Sequence, residues 1–138
     1  MTQRTIQIVI DVLQRAFNQA DLAAIDDGFS PEAMIHDPGM DYRGPAQLRL
    51  GVQKLLRAFP DFHFSVLDQL ADADRVVIRY RGRGTHSAEF LGIAATGKRI
   101  DYTGMLMVRV QGSRITEFWA NPDQLGIFKQ LGACLQYH

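Results

Sequence analysis

Asp123 is the side chain of this sequence whose position best suits acid–base chemistry. It follows a predicted strand that begins at Ile115. Side chains two residues apart on a strand share a face, so Trp119 and Asn121 face the same side, and Asp123 joins them if Pro122 does not break the register. A carboxylate takes a proton from a carbon beside a carbonyl near neutral pH only when its pKa is raised, and burial among apolar groups raises it. The pattern therefore favours a proton-transfer site at this strand end.

An enolate formed by such a step needs a hydrogen-bond donor close to its oxygen. Polar side chains near predicted strand ends supply the candidate donors, which are His36, Tyr42, His86, Arg109 and Asn121. We expect His36 to line the pocket as a second catalytic group, because it lies between an apolar segment and a Pro-Gly turn. The alternative is a turn histidine that is hydrogen-bonded to the backbone.

Several other chemistries lack their sequence signatures. No Ser or Cys lies in a nucleophile-elbow sequence, and Cys134 has no sign of catalytic activation. The histidines are not spaced with Asp and Glu as metal ligands, and the glycines lack the strand-to-helix context of a phosphate-binding loop. We therefore expect an enzyme with no metal and no other cofactor.

The elements that must position these groups can be read from apolar periodicity. Spacings of three and four residues predict a helix over 5–20, and Asp21 begins a further short turn of helix. Pro45 begins another helix, which Pro60 stops. Beyond Pro60 the period falls to 2, which predicts strands over 62–67, 75–83, 99–110 and 115–119, before a last helical segment over 124–131. One short strand fits over 34–36. Helices first and strands later indicate an α+β fold.

Length, charge and composition limit the class of protein. The chain has 138 residues, which predicts a single domain over 1–138. Fifteen Lys and Arg balance fifteen Asp and Glu, so we expect neither nucleic acid nor a membrane surface as a partner. One cysteine cannot form an internal disulfide, and no apolar stretch is long enough to span a membrane. These features favour a cytoplasmic protein.

Short motifs from residue 33 to residue 132 occur together in a recognisable order. They are Gly44-Pro45, Ala58-Phe59-Pro60-Asp61-Phe62, Asp74-Arg75-Val76-Val77, Arg83-Gly84-Thr85-His86, Glu89-Phe90-Leu91-Gly92-Ile93, Thr96-Gly97-Lys98-Arg99, Trp119-Ala120-Asn121-Pro122-Asp123 and Gln130-Leu131-Gly132. In this order the chain resembles the SnoaL-like polyketide (ester) cyclases, which belong to the nuclear-transport-factor-like and ketosteroid-isomerase-like superfamily. It departs from many relatives in 92–97, where they carry one or two prolines before the Thr-Gly.

The resemblance implies a cone-shaped α+β barrel, in which N-terminal helices pack on a strongly curved, mixed or antiparallel sheet and enclose a pocket. It also implies a homodimer and a reaction without metal or nucleotide. The family's cyclases close a ring of an aromatic polyketide methyl ester by intramolecular aldol condensation. Their acid/base is an aspartate four residues after a tryptophan, and Asp123 follows Trp119 at that spacing.

Two classes of function remain open from the sequence. The first is a small cofactor-free cyclase, or an isomerase or a lyase of the hydratase type, which acts on a hydrophobic carbonyl compound. Its substrate pocket would be lined by Tyr42, Phe62, Phe90, Arg109, Trp119 and Asn121. The alternative is a non-catalytic small-molecule-binding or dimerisation module, in which Asp123 caps the following helix instead. A hydrolase is a third reading, and it would need a relay of inward acids and an arginine, for which Asp101 and Arg109 are candidates.

Overall fold

A computed structural model describes residues 2–133 of the chain. Within these residues the helices are α1 (Thr2–Asn18), α2 (Ala23–Gly28), α3 (Ala46–Ala58) and α4 (Gln124–Gln130). The strands are β1 (Phe29–Asp37), β2 (Met40–Arg43), β3 (His63–Asp72), β4 (Arg75–Thr85), β5 (Arg99–Gln111) and β6 (Arg114–Pro122). The predicted α+β class is confirmed. Cys134 lies outside the described residues.

The strands form one mixed sheet in the order β2-β1-β6-β5-β4-β3. The β1–β6 pair is parallel, and all other neighbours are antiparallel. Register shifts interrupt the ladders of β1 with β6, β3 with β4, and β5 with β6. Because bulges bend and twist a sheet, these shifts fit the curved shape.

The first strand is longer than the sequence predicts. The pattern predicts a strand over 34–36 only, because Ser30-Pro31 ends the preceding helical turn and His36-Asp37-Pro38-Gly39 and Tyr42-Arg43-Gly44-Pro45 both read as turns. In the structure β1 begins at Phe29, and Pro31 falls within the shift between Phe29 and Met34, where no pairing with β6 is recorded. A proline is tolerated at such a bulge because it has no N–H to donate to a ladder.

The core lies between the concave face of the sheet and the helices. Along β4 and β5 buried and more exposed residues alternate, so each strand gives one face to the core. Helix α1 buries Val9, Val12 and Leu13 in this core, with Val12 against Gly28 of α2. Asn18 at its end pairs with the edge of β3, accepting from the Phe64 N–H at 2.7 Å and donating to the Phe64 carbonyl at 2.9 Å. The helix is thereby fixed to the sheet.

No helix within residues 2–133 has the length and apolar character required to cross a bilayer.

Candidate active site

A cavity of about 280 Å³ lies between the concave face of the sheet and the helices that cover it. Its walls are mostly aliphatic and aromatic, with Phe17, Leu55, Phe64 and Phe118 among them. Among the described residues that line it, the polar side chains are Asp37, Tyr80, Tyr102 and Gln124. An apolar pocket with a few polar groups is the usual form of a small-molecule site.

Asp37 is the only carboxylic acid among the described residues that line this cavity. It is the last residue of β1, and alternation places it on the same inner face as the buried Ile35. Pro38 favours the extended conformation at Asp37, and Gly39 makes the turn that follows with a φ of +85°. Burial raises the pKa of the Asp37 carboxyl, because the ionised form loses hydration there.

Two tyrosines form the polar part of the sheet wall. Tyr80 on β4 stands opposite Gly104 on β5, and Tyr102 on β5 stands opposite Gly82 on β4. Each ring lies on the glycine across from it. A β-carbon added at Gly104 would be 2.5 Å from the Tyr80 hydroxyl oxygen, and one at Gly82 would be 2.6 Å from the Tyr102 ring. The pair of glycines therefore provides the space that both rings occupy.

The two tyrosine side chains also influence each other. Their rings meet edge to face, with centroids 6.1 Å apart. Burial raises the pKa of Tyr102 to about 12, although interaction with the Tyr80 hydroxyl lowers it in part. Burial raises the pKa of Tyr80 further, and the neighbouring Tyr102 adds to this effect. Both groups are therefore neutral phenols, able to donate a hydrogen bond, at physiological pH.

The connection between β4 and β5 covers one side of the cavity. Phe90 and Leu91 line it, and Phe90 exchanges two backbone hydrogen bonds of 2.9 Å with Ile93. His86, a candidate donor from the sequence, lies at the base of this connection rather than in the cavity lining. It is fully buried, stacks on Phe59 at 5.4 Å, and its Nδ1 lies 2.9 Å from the Thr96 hydroxyl. Its role in the structure is to hold the connection in place.

Asp123 is not among the residues that line the cavity, which corrects the expectation of an inward acid. It is the N-cap of α4, and its Oδ1 accepts a hydrogen bond from the Gly126 N–H at 2.9 Å. Its neighbours Pro122 and Gln124 both line the cavity, whereas Asp123 itself is exposed. Aspartate is among the strongest N-caps because its carboxylate satisfies a helix N–H that has no partner in the helix.

A bulge in β6 explains why other predicted pocket residues face away from the cavity. Ile115 pairs with Val110 and Glu117 with Arg109, so Thr116 is an extra residue in β6. Simple alternation from the inward Ile115 would have turned Glu117, Trp119 and Asn121 inward, and the sequence predicts Trp119 and Asn121 in the pocket. The extra residue reverses the phase, and Phe118 and Ala120 line the cavity instead. Trp119 and Asn121 are therefore on the outer face.

His36 also lies on the outer face, in a network of charged groups. Its Nε2 is 2.7 Å from Glu117 Oε2 and its Nδ1 is 2.8 Å from Asp41 Oδ1. Its ring stacks on Trp119 with a centroid distance of 5.2 Å. The hydrogen bonds to Glu117 and Asp41 raise the pKa of His36. The expectation that His36 lines the pocket is thus corrected, since the side chain that follows it, Asp37, takes the inward position.

The remaining candidates divide between the two sides of the sheet. Phe62 and Phe90 line the cavity, whereas Tyr42 packs against the edge of the core outside the lining. Arg109 approaches Glu117 and Asp74, each at 3.6 Å, on the outer face. Asp101 pairs there with Arg81, so Asp101 and Arg109 do not form an inward hydrolytic relay. That Phe62 and Phe90 contact a substrate stays a prediction.

Known proteins share both the sequence pattern and the fold. The profile of the family described as SnoaL-like polyketide cyclase matches residues 7–131. An aklanonic acid methyl ester cyclase of Streptomyces peucetius is 28% identical over 104 residues, which are 75% of this chain and 70% of that protein. IdmH of Streptomyces antibioticus, a proposed polyketide cyclase, is 35% identical with a TM-score of 0.76, and the match covers 90% of this chain and 96% of IdmH.

TsrD of Streptomyces laurentii has the same fold at lower sequence identity. Its TM-score is 0.88 at 23% identity, over 97% of this chain and 99% of TsrD. The family profile covers nearly all of the sheet and of the cavity described above, from α1 to the end of α4. The chain therefore belongs to the SnoaL-like polyketide cyclase family.

Proposed function

We propose that this chain is a cofactor-independent enzyme that closes a ring in a hydrophobic carbonyl compound, with Asp37 as the acid/base. Family membership supports a cyclase-type role. The observation that carries the assignment of Asp37 is its place as the one acid among the described residues that line an apolar cavity, where burial raises its pKa toward the range in which a carboxylate is an effective base. The same arrangement of a carboxylate in an apolar site is known from ketosteroid isomerases.

The proposed reaction conserves atoms and needs no external oxidant or reductant. The Asp37 carboxylate takes a proton from a carbon beside a carbonyl, and the electron pair of that C–H bond becomes an enolate. The enolate carbon then forms a bond to a second carbonyl carbon of the same molecule. The alkoxide that results takes the proton back from Asp37. If the proton instead returns to a different carbon, the same groups carry out an isomerisation.

The cavity walls suit an uncharged substrate. Apart from Asp37, no lining residue among those described carries a charge, so an ionic substrate would lose hydration without gaining a partner. Phe90 and Leu91 add apolar side chains to the lining on the side of the β4–β5 connection, and neither has a proton to give to an enolate.

Hydrogen–deuterium exchange of a probe ketone tests the assignment without knowledge of the natural substrate. The probe is 2-tetralone, a flat bicyclic ketone whose acidic C–H signals disappear from the proton NMR spectrum in D2O as they exchange. We expect the wild-type chain to accelerate this exchange above the buffer rate. Asp37→Asn should lower the enzymatic rate by about 10²- to 10⁴-fold, the usual contribution of a positioned general base.

Asp123→Asn is the matched control, because asparagine caps a helix about as well as aspartate and leaves the fold unchanged. We expect its exchange rate to equal that of the wild type. Loss of exchange in Asp123→Asn, with Asp37→Asn still active, would instead identify Asp123 as the acid/base. Binding of 2-tetralone without any acceleration of exchange would favour the small-molecule-binding module.

A further inference from the structure

We propose that His36 is a positioning residue, which holds the end of β1 from the outer face of the sheet and so keeps Asp37 directed into the cavity. The inference rests on the proposed function, because it concerns the orientation of the same acid. The two residues are neighbours at the end of β1, and alternation sends their side chains to opposite faces. A contact that fixes His36 therefore also fixes the backbone from which Asp37 projects.

The strand end that carries Asp37 has little support from its own ladder. The pairing of β1 with β6 ends at His36 and Trp119, so Asp37 lies one residue beyond it. At Asp37 the remaining strand partner is Met40 of β2, a strand of four residues at the edge of the sheet. Side-chain contacts must therefore supply part of the order at this position.

His36 supplies such contacts to both neighbouring strands. Its Nε2 is 2.7 Å from Glu117 on β6, and its Nδ1 is 2.8 Å from Asp41 on β2. Its ring also stacks on Trp119 of β6. One side chain thus joins β2, β1 and β6 directly behind the acid.

The contacts of His36 continue into a row of charged groups that crosses the outer face. Glu117 also approaches Arg109 on β5 at 3.6 Å, and Arg109 approaches Asp74 in the β3–β4 turn at 3.6 Å. Glu117 is therefore held from two sides, and its side chain is only 24% exposed. It is the fixed end of the row, to which His36 attaches the end of β1.

The contact with Asp41 depends on the protonation of His36. An imidazolium donates hydrogen bonds from both nitrogens, whereas the neutral ring donates from one. The Asp41 side chain is 67% exposed, so the neutral ring keeps its bond to Glu117 and the Asp41 carboxylate turns to water. Elsewhere on β2, Arg43 has its own partner in Glu32, at 3.4 Å. Loss of the His36 proton therefore releases β2 from the end of β1.

This release predicts the pH dependence of the reaction. Hydrogen bonds to Glu117 and Asp41 raise the pKa of His36, so both contacts persist above the ordinary value of about 6.5. A catalytic group misplaced by about 1 Å can cost about 10²-fold in rate, and partial loss of order should cost less. We expect kcat for the exchange of 2-tetralone to fall about tenfold as His36 loses its proton, with little change in KM.

The first experiment compares this pH profile with the titration of His36, followed by NMR of its ring protons. The fall in kcat should have the same midpoint as the His36 titration. Asp41→Asn should abolish the fall, because an amide can accept from the charged ring and donate to the neutral one. A histidine that only stabilised the fold would not give a variant that is more active than the wild type at high pH.

The second experiment measures the carboxyl pKa of Asp37 in His36→Gln by NMR. Without its support the carboxyl should become more hydrated, and its pKa should move from the raised value toward 3.8. This readout involves no reaction, so it tests the positioning role even if 2-tetralone does not exchange. Exchange that fails in the wild type would count against the proposed function, and an unchanged Asp37 pKa would count against the role of His36.

Asp101→Asn is the matched control, because it breaks another ion pair of the outer face away from β1. Asp101 on β5 accepts from Arg81 Nε at 2.7 Å. This variant should keep the pH profile and the Asp37 pKa of the wild type. The proposal is overturned if kcat stays constant through the His36 titration, if Asp41→Asn shows the same fall as the wild type, or if His36→Gln leaves the pKa of Asp37 unchanged.

Discussion

Substitution of Gly104 by alanine tests the packing of the tyrosine pair on which the inner wall depends. An added β-carbon would lie 2.5 Å from the Tyr80 hydroxyl oxygen, 2.6 Å from Cζ and 2.8 Å from Cε1. Ordinary carbon contacts are about 3.5 Å or more, so the ring must move by roughly 1 Å. Gly104 does not have a positive φ, so its backbone conformation is open to alanine. The cost of the substitution therefore comes from the steric contact with the Tyr80 ring.

The expected loss of stability combines two opposing effects. Overpacking of a core typically costs about 1–3 kcal/mol, whereas replacing a strand glycine by alanine gains about 0.5–1 kcal/mol from the lower entropy of the unfolded chain. Because the added carbon would lie 2.5 Å from the nearest atom, the cost falls in the upper part of that range, and we expect Gly104→Ala to reduce the free energy of unfolding by about 1–2 kcal/mol. Urea unfolding measures this as a lower midpoint with an unchanged slope.

Gly51→Ala is the matched control, since it makes the same chemical change where the structure leaves room. Gly51 lies in the interior of α3, and no atom lies within 4 Å of an added β-carbon. Alanine is the better helix former there by about 1 kcal/mol, so this variant should be more stable than the wild type. A Gly104→Ala protein as stable as the wild type, beside a stabilised Gly51→Ala, would refute the assigned contact between Gly104 and Tyr80.

Three further outcomes follow from the contacts around the site. Asp123→Ala removes the N-cap of α4 and should cost about 0.5–2 kcal/mol in urea unfolding, whereas Asp123→Asn should cost little. Because hydrogen bonds to Glu117 and Asp41 raise the pKa of His36, their stabilisation is complete below the unfolded-state pKa of about 6.5 and is lost as pH rises through the folded-state value. The drop in stability between pH 5 and 9 should therefore be smaller in His36→Gln, and an unchanged pH profile would argue against the pairing. The predicted homodimer would bury the outer sheet face, where Met105 is half exposed, so Met105→Glu should shift light-scattering mass from dimer to monomer.

Apolar periodicity was sufficient to predict most of the fold. The period of β4 and β5 is close to 2 over their whole length, and their burial alternates accordingly. The short strand β2 was not predicted, because Met40–Arg43 contains turn-forming residues and pairs only with β1 at the sheet edge. Local residue preference cannot predict a strand that is stabilised mainly by hydrogen bonds to its neighbouring strand.

The candidate site could be predicted less well, for a reason that lies in β6. Alternation identifies which residues share a face, but one extra residue exchanges the two faces. Large apolar side chains stand on both faces of β6, at Phe118 and Trp119, so hydrophobicity gave no sign of the bulge at Thr116. The aromatic lining was consequently assigned to Trp119 rather than to Phe118.

Asp37 escaped prediction because its neighbours resemble a turn. The sequence His36-Asp37-Pro38-Gly39 contains three residue types common in turns, and only the buried Ile35 two positions earlier indicates an inward face. The signal in the sequence was that Asp37 lies two positions after Ile35 and so shares the apolar face of the strand. The raised pKa of Asp37 depends on its burial in the folded chain, and tertiary packing is not contained in a local pattern.

The measurement that tests the central claim most directly is the pKa of Asp37 itself, by NMR titration of its carboxyl carbon, with the signal assigned through Asp37→Asn. We predict a midpoint above the ordinary value of 3.8, because the cavity disfavours the ionised form, and a further rise when 2-tetralone displaces water from the cavity. A midpoint at or below 3.8 that does not respond to 2-tetralone would contradict the account, since Asp37 would then be a solvated acid outside the reaction.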